Sequence, residues 1–238
     1  VCMELSKQRI HPRERLACAM ELLGGVTVVA DIGCDHGRLS CALVQSGRAE
    51  RCIGVDISEP SLKKAEKLAD LLGVSDRVET RLGDGLTALK DGEADALAIL
   101  GMGGTLMVRI LEAASTPLAG ASRCVLQPMR AAEDIRRWLF EHNYPVLDDR
   151  VVLDTGRFYQ IFSIAPPANA RQTMPAGWPE DCFLLGYRAF ERREPNLFQL
   201  AERMLQTTER KRKTQNSQIL TRQAKQLRQI LSFREEPI

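Results

Sequence analysis

The chain has 238 residues, 44% of them hydrophobic, with 33 Lys and Arg against 31 Asp and Glu and a formal charge of +2. That length fills a complete α/β core and leaves material for an appendage. Seven cysteines without a C-x-x-C pair argue against a disulfide framework or a zinc site, and no apolar run approaches the roughly 20 residues that cross a bilayer.

In chain order, a helical pattern near 12–23 precedes short β-rich runs near 26–32, 52–56, 78–81, 94–100 and 122–127, with helical patterns between them. Such a βαβ succession predicts a Rossmann-like α/β fold, a mainly parallel sheet with helices on both faces and ligands outside the carboxyl ends of its strands. The first strand ends on Asp31 and breaks into Ile32-Gly33-Cys34-Asp35-His36-Gly37 before an amphipathic segment, 39–44. This is how a nucleoside-cofactor pocket begins, with the N–H groups of a helix start expected to aim at the ligand. The second strand closes on Asp56, 19 residues beyond Gly37, where an acid takes both hydroxyls of a ribose, with Ile57 beside it. After the third strand, Gly83-Asp84-Gly85 places an acceptor for an adenine amino group.

The acids separate two cofactors. A pyrophosphate lies on bare amides, and Asp31 and Asp35 would repel it, whereas the sulfonium and ammonium of S-adenosyl-L-methionine (SAM) are cations that they attract. Asp31, Gly33, Cys34, Gly37, Asp56, Ile57, Gly83, Asp84, Gly85, Gly101, Met102 and Gly103 are therefore the expected cofactor residues. Cys34 reads as a packing residue whose place makes the site sensitive to thiol reagents.

The fourth strand runs into Gly101-Met102-Gly103-Gly104, so something large approaches that backbone, and no side chain there accepts from an exocyclic amino group. Beside the same mouth, the fifth strand ends in Gln127, Pro128, Met129 and Arg130. Runs at 144–153 and 157–164, joined by Asp154-Thr155-Gly156, predict a closing hairpin of strands. Trp138 and Tyr159 read as core residues. Pro166, Pro167, Pro175 and Pro179 mark a linker, 166–181, between a first domain, 1–165, and a helical hairpin, 182–238, that turns near Gln215-Asn216-Ser217. Residues 1–185 carry 21 basic and 25 acidic side chains, and residues 186–238 carry 12 and 6, a basic tail suited to a polyanion.

Taken together, DIGCDHG (31–37), GVDIS (54–58), GDG (83–85), GMGG (101–104), LQPM (126–129), IRRWL (135–139) and RFYQ (157–160) resemble the TrmK family of tRNA (adenine-22-N1) methyltransferases. The resemblance runs from about Leu5 to the tail. It implies a class I SAM-dependent methyltransferase domain followed by a C-terminal helical coiled-coil domain, with tRNA as partner; the cysteines, the apolar runs and an N-terminus without a signal-peptide core predict no metal, no membrane and a cytoplasmic location, and leave the oligomeric state open, a monomer included. The chain departs from the family pattern at Gly37-Arg38-Leu39-Ser40, at Met129 where the family has asparagine, and at Gln160 where glutamate is common.

The implied reaction places adenine N1, whose lone pair is free at neutral pH, in line with the SAM methyl group, and its product is cationic. Asp35 offsets that charge and His36 orients the base or cofactor. Extruding a tRNA base requires phosphate contacts, expected from Arg130, Arg136 and Arg137 at the mouth, and from Arg210, Lys211, Arg212, Lys213, Arg222, Lys225 and Arg228 on the tail. Gly104, Gln127, Pro128 and Met129 complete the expected substrate side. Two alternatives share these motifs. One is a SAM-dependent enzyme acting on another RNA site or a small molecule; the other, motivated by Met129, is a non-catalytic RNA-binding protein on a methyltransferase scaffold.

Overall fold

The computed structural model describes residues 9–168 and 173–234; Leu5, where the resemblance begins, lies outside them. Helix α1 (Glu14–Leu23) leads into strand β1 (Val26–Ile32), helix α2 (Arg38–Gln45), β2 (Ala49–Asp56), α3 (Glu59–Leu72), β3 (Val78–Leu82), β4 (Ala96–Gly103), α4 (Gly104–Glu112), β5 (Arg123–Arg130), α5 (Ala132–Glu141), β6 (Val146–Asp154) and β7 (Arg157–Ile164). One seven-stranded sheet results, in the order β3-β2-β1-β4-β5-β7-β6. Strands β1 to β5 pair in parallel, and β7 pairs antiparallel with both β5 and β6. Strand order reverses between β1 and β4, which opens a crevice above their carboxyl ends.

Alternation along the strands divides the core. Val29 of β1, Ala96 and Ala98 of β4 and Val125 of β5 face Ala19 and Leu23 of α1, Leu43 of α2 and Leu72 of α3. Ala30 and Ile32, Leu97 and Ile99, and Leu126 face Met107 of α4 and Ile135 of α5. Buried on both faces, these strands read as near-continuous apolar runs, which is why the sequence locates them.

Their ends lie differently from expectation. The run 101–103 is not a loop but the continuation of β4, with Met102 opposite Pro128 and Gly103 opposite Arg130, and the register slips on both sides of Met102. Gly101, at φ +79°, supplies the left-handed residue of this bulge.

The proline-rich segment contains no helix or strand among its described residues. It is nevertheless packed, since Trp178 is buried and donates from Nε1 to the Cys182 carbonyl at 3.0 Å. A short helix, α6 (Tyr187–Glu191), precedes α7 (Pro195–Arg212) and α8 (Gln218–Ser232), with the turn between them at 213–217. Phe190, Leu197, Ala201, Leu227 and Ile230 from these helices join the same buried cluster as Ile99 and Phe162 of the sheet.

Candidate active site

A cavity of about 460 Å³ occupies the crevice. Asp31, Gly33, Cys34, Asp35 and His36 from the turn after β1 form one wall, and Asp56 and Ile57 after β2 continue it. Gly83, Asp84 and Gly85 close the end beyond β3, and Gly101 and Met102 of β4 line the opposite side. Parallel register makes this possible: Ile32 pairs with Val55, and Asp56 with Leu82, so three separated acids reach one rim.

Asp31 is 3% exposed and accepts from Ser40 Oγ at 2.8 Å as well as from the Ser40 backbone amide. That amide belongs to the first turn of α2, so it is already taken by a carboxylate rather than offered to a ligand. Burial pushes the Asp31 carboxyl up to about 6, against the lowering effect of Ser40, and the charges of Asp56 and Asp35 add to the rise.

The turn is held from β2. The amides of Gly33 and Cys34 donate to the Val55 carbonyl at 2.8 and 3.0 Å. Asp35, in a left-handed conformation at φ +49°, donates its amide to Asp56 Oδ2 at 2.9 Å, and Ser58 donates to Asp56 Oδ1 at 2.8 Å. One lone pair on each Asp56 oxygen is left over, a set that matches a vicinal diol. Asp35 Oδ1 lies 3.3 Å from His36 Nε2, which is also 3.2 Å from Lys64 Nζ.

Three glycines expected at the ligand serve packing instead. Gly37 sits off the cavity wall, and a Cβ there would stand 2.7 Å from Ala65 Cβ of α3. Gly103 lies against Arg130, and Gly104 is buried so closely on β5–α5 that a Cβ would meet the Ala131 carbonyl oxygen at 2.1 Å. Gly104 is thus a packing residue, not a substrate contact.

On the acceptor side, Gln127 is fully buried; its Oε1 accepts from Arg15 at 2.5 Å and its Nε2 donates to the Pro128 carbonyl at 2.9 Å. Both ends of this amide are occupied, and Pro128 is buried, so neither presents itself to a base. Met129 and Arg130 are exposed beside them.

Arg136 corrects an expectation outright. It is 7% exposed, over the Phe162 ring at 4.8 Å and directed at the Phe183 carbonyl, so it cannot meet a phosphate. Burial pushes its pKa down and that of Asp149 up, each opposed by their mutual attraction. On the tail, Arg212 pairs with Glu209 at 2.9 Å, whereas Arg210, Lys211 and Lys213 have no ion-pair partner among the described residues.

In the sequence Arg15 falls in the helical pattern before the first strand without a motif of its own, and Tyr159 reads as a core residue. The structure brings Arg15 to the cavity wall, with its guanidinium 5.3 Å from the centre of the half-buried Tyr159 ring. A helix placed before the first strand, and a ring on the far edge strand, share no sequence motif that would announce this. The Cys34 thiol is held far above its usual range by burial and by Asp31 and Asp56, so it is not the reactive group that its location implied.

The sequence profile of the methyltransferase-domain family matches residues 13–162. The chain belongs to that family. This methyltransferase domain is 36% identical over 148 residues to the tRNA (adenine(22)-N(1))-methyltransferase of Bacillus subtilis, an alignment spanning 62% of each chain. The chain therefore spans about three fifths of the curated relatives it matches, 61% in the case of a Mycoplasma pneumoniae protein at 29% identity. The crystal structure of the Bacillus subtilis M1A22 tRNA methyltransferase TrmK superposes with a TM-score of 0.76 at 26% identity, covering 95% of this chain and 98% of that one. Streptococcus pneumoniae Sp1610, solved in complex with SAM, shares the fold with a TM-score of 0.79 at 24% identity, covering 91% and 98%. These relatives agree with the TrmK resemblance carried by the motifs. Among the described residues no helix is long and apolar enough to cross a membrane.

Proposed function

We propose that the protein transfers the methyl group of SAM to N1 of an adenine in tRNA, at position 22. The observation that carries this reading is the row of Asp84, Asp56 and Asp31 along one cavity, next to a β4 terminus whose 101–104 segment offers backbone and Met102 but no accepting side chain. The name of the Bacillus subtilis relative supplies the nucleotide.

The residues present fit the cofactor. The cavity, about 460 Å³, falls within the range of sites for drug-sized ligands, about 300–1,000 Å³. Asp84 would accept from the adenine amino group, Asp56 from the ribose hydroxyls, and Asp31 would face the ammonium of the methionine portion. When bound, SAM supplies an electrophilic methyl on a sulfonium. A dinucleotide fits worse, because the amide at the start of α2 is spent on Asp31 and four carboxylates line the wall.

What the chain does is position and compensate. Adenine N1 needs no base to remove a proton, so the residues hold the ring in line and offset the positive charge that grows on it. Asp35, exposed at the mouth, supplies the negative charge. His36 orients: its Nε2 stands between Lys64 Nζ at 3.2 Å and Asp35 Oδ1 at 3.3 Å, which holds the ring at the mouth. Arg130 at the mouth, with Arg210, Lys211 and Lys213 on the hairpin, would meet the RNA phosphates.

The deciding experiment is radiolabelled methyl transfer from SAM to unmodified tRNA, followed by nucleoside mapping. The expected product is 1-methyladenosine at position 22. Label on another atom, or transfer without RNA, rejects the reading.

A further inference from the structure

Arg15 lacks the partner that a half-buried guanidinium ordinarily has. Among the described residues no carboxylate pairs with its side chain. It is nevertheless fixed at three points. Its backbone amide donates to Asp154 Oδ2 at 3.3 Å, its Nη1 donates to Gln127 Oε1 at 2.5 Å, and its guanidinium lies over Tyr159 at 5.3 Å. Gln127 is itself locked by its second bond to Pro128, so the nitrogen it receives is aimed, not merely caught.

The direction of aim is into the cavity. Nη1 stands 4.0 Å from the place where a Cβ on Gly101 would be, so the missing side chain leaves the guanidinium open to the ligand space. That space is lined by Asp31, Asp35, Asp56 and Asp84, and the cations on its wall are Arg15 and Arg38. Arg38 is exposed at the first position of α2 and has no bonding partner among the described residues, so anchoring an anion with it would cost the full freedom of a long side chain. Arg15 has already lost that freedom.

Given the function proposed above, the ligand brings one anionic group into this acidic cavity, the α-carboxylate of its methionine portion. We infer that Arg15, reaching over from α1, binds that carboxylate, while Asp31, at the end of β1, faces the adjacent ammonium. Arg15 and Asp31 both line this cavity, so opposite charges are available for the two ends of an α-amino acid. A nucleotide phosphate is the rival anion, but the group on the cofactor is present in every turnover, and with the adenine at Asp84 and the ribose at Asp56 it would fall on the β1–β4 side of the cavity, where Arg15 is directed.

Decarboxylated S-adenosylmethionine differs from SAM in this group alone, which makes it the probe. Calorimetry on the full chain should show wild type preferring SAM by roughly 10- to 100-fold, the worth of a charge-assisted bond. In Arg15→Ala that preference should collapse, with affinity for the decarboxylated probe unchanged; Arg15→Lys should keep part of it, and Arg38→Ala all of it. Thermal unfolding verifies that each variant is folded. The inference is overturned if Arg15→Ala keeps the preference, if it weakens both ligands equally as a shaping residue would, or if Arg38→Ala is the variant that loses it. Those failures leave SAM binding by wild type intact. A wild-type protein that binds neither ligand overturns the function and this inference together.

Discussion

Ser40 holds Asp31 from below, donating its hydroxyl at 2.8 Å to a carboxylate that is 3% exposed yet still lines the ligand cavity. The fold thus keeps a poorly solvated acid on the wall where the proposed cofactor would place its ammonium. Because the folded-state value, about 6, lies above the usual 3.8, the native chain takes up this proton more readily than the unfolded one. Stability therefore falls as pH rises from about 4 to 6 and stays reduced above that, by on the order of 3 kcal/mol. Asp31→Asn keeps an acceptor for Ser40 and should raise the melting temperature at pH 8 by several degrees, with little change at pH 4. The same variant should lose most SAM affinity, and wild-type affinity should weaken as pH falls below about 6, both measured by calorimetry.

Arg136 should report on folding and not on RNA. Its guanidinium and Asp149 are buried together, and Asp149 also accepts from the Arg188 and Ala189 amides at 3.0 and 3.1 Å to start α6. Arg136→Ala leaves that carboxylate without its main counter-charge, Arg192 being the weaker one, and breaking a buried pair typically costs about 3–5 kcal/mol. Denaturant titration should show the loss, while the tRNA affinity of the folded fraction stays at the wild-type level. A selective loss of tRNA binding would return Arg136 to the RNA surface.

The cysteine next to the cavity should be inert. Cys34 lies under Gly54, where a Cβ would stand 3.0 Å from its Sγ, and both burial and nearby acids disfavour its thiolate. At pH 7.5 a disulfide reagent such as dithionitrobenzoate should label Cys34 far more slowly than the unfolded chain, and Cys34→Ala should methylate tRNA within about threefold of wild type. Rapid labelling that SAM prevents would contradict this.

These cases show what the sequence makes legible. The strands and the three acids could be placed because apolar runs and a βα turn are local signals, and parallel pairing then carries Asp31, Asp56 and Asp84 to one rim. Pairings between distant parts of the chain leave no such signal. Helix α6 starts where Asp149, 39 residues away, receives its first amide, and Gly186 preceding it is required because a Cβ would overlap that carboxylate. Arg15 reaches Gln127 across 112 residues. The glycine-rich junction of β4 and α4 misled for a related reason: Gly101 and Gly104 look alike in the sequence, but one opens a bulge beside the cavity and the other admits the Ala131 carbonyl.

The hairpin tip should govern RNA affinity alone. Arg210, Lys211 and Lys213 are exposed and without ion-pair partners among the described residues, whereas Arg212 is engaged by Glu209 and Arg222 by Asp181. Replacing the three free cations with Glu should weaken tRNA binding and lower the slope of log K against log salt by up to about 3, near 0.9 for each phosphate that is no longer neutralised. SAM affinity should not move. An unchanged salt slope in filter-binding assays would remove the hairpin from the RNA interface.

His36 separates positioning from proton transfer. Its Nε2 is shared between Lys64 and Asp35 at 3.2 and 3.3 Å, and adenine N1 carries no proton for it to take. His36→Ala should therefore lower kcat by roughly 10- to 100-fold, less than the upper range for lost acid–base catalysis, about 10⁴-fold. SAM affinity should change by less than about threefold, because the ring lies outside the Asp31–Asp56–Asp84 row. His36→Asn retains a polar group of similar reach and should recover part of the rate, with a flat pH profile for kcat between pH 6 and 9. A loss confined to SAM binding, or a profile whose limb vanishes only in the variant, would show that the imidazole acts on the cofactor or moves a proton after all.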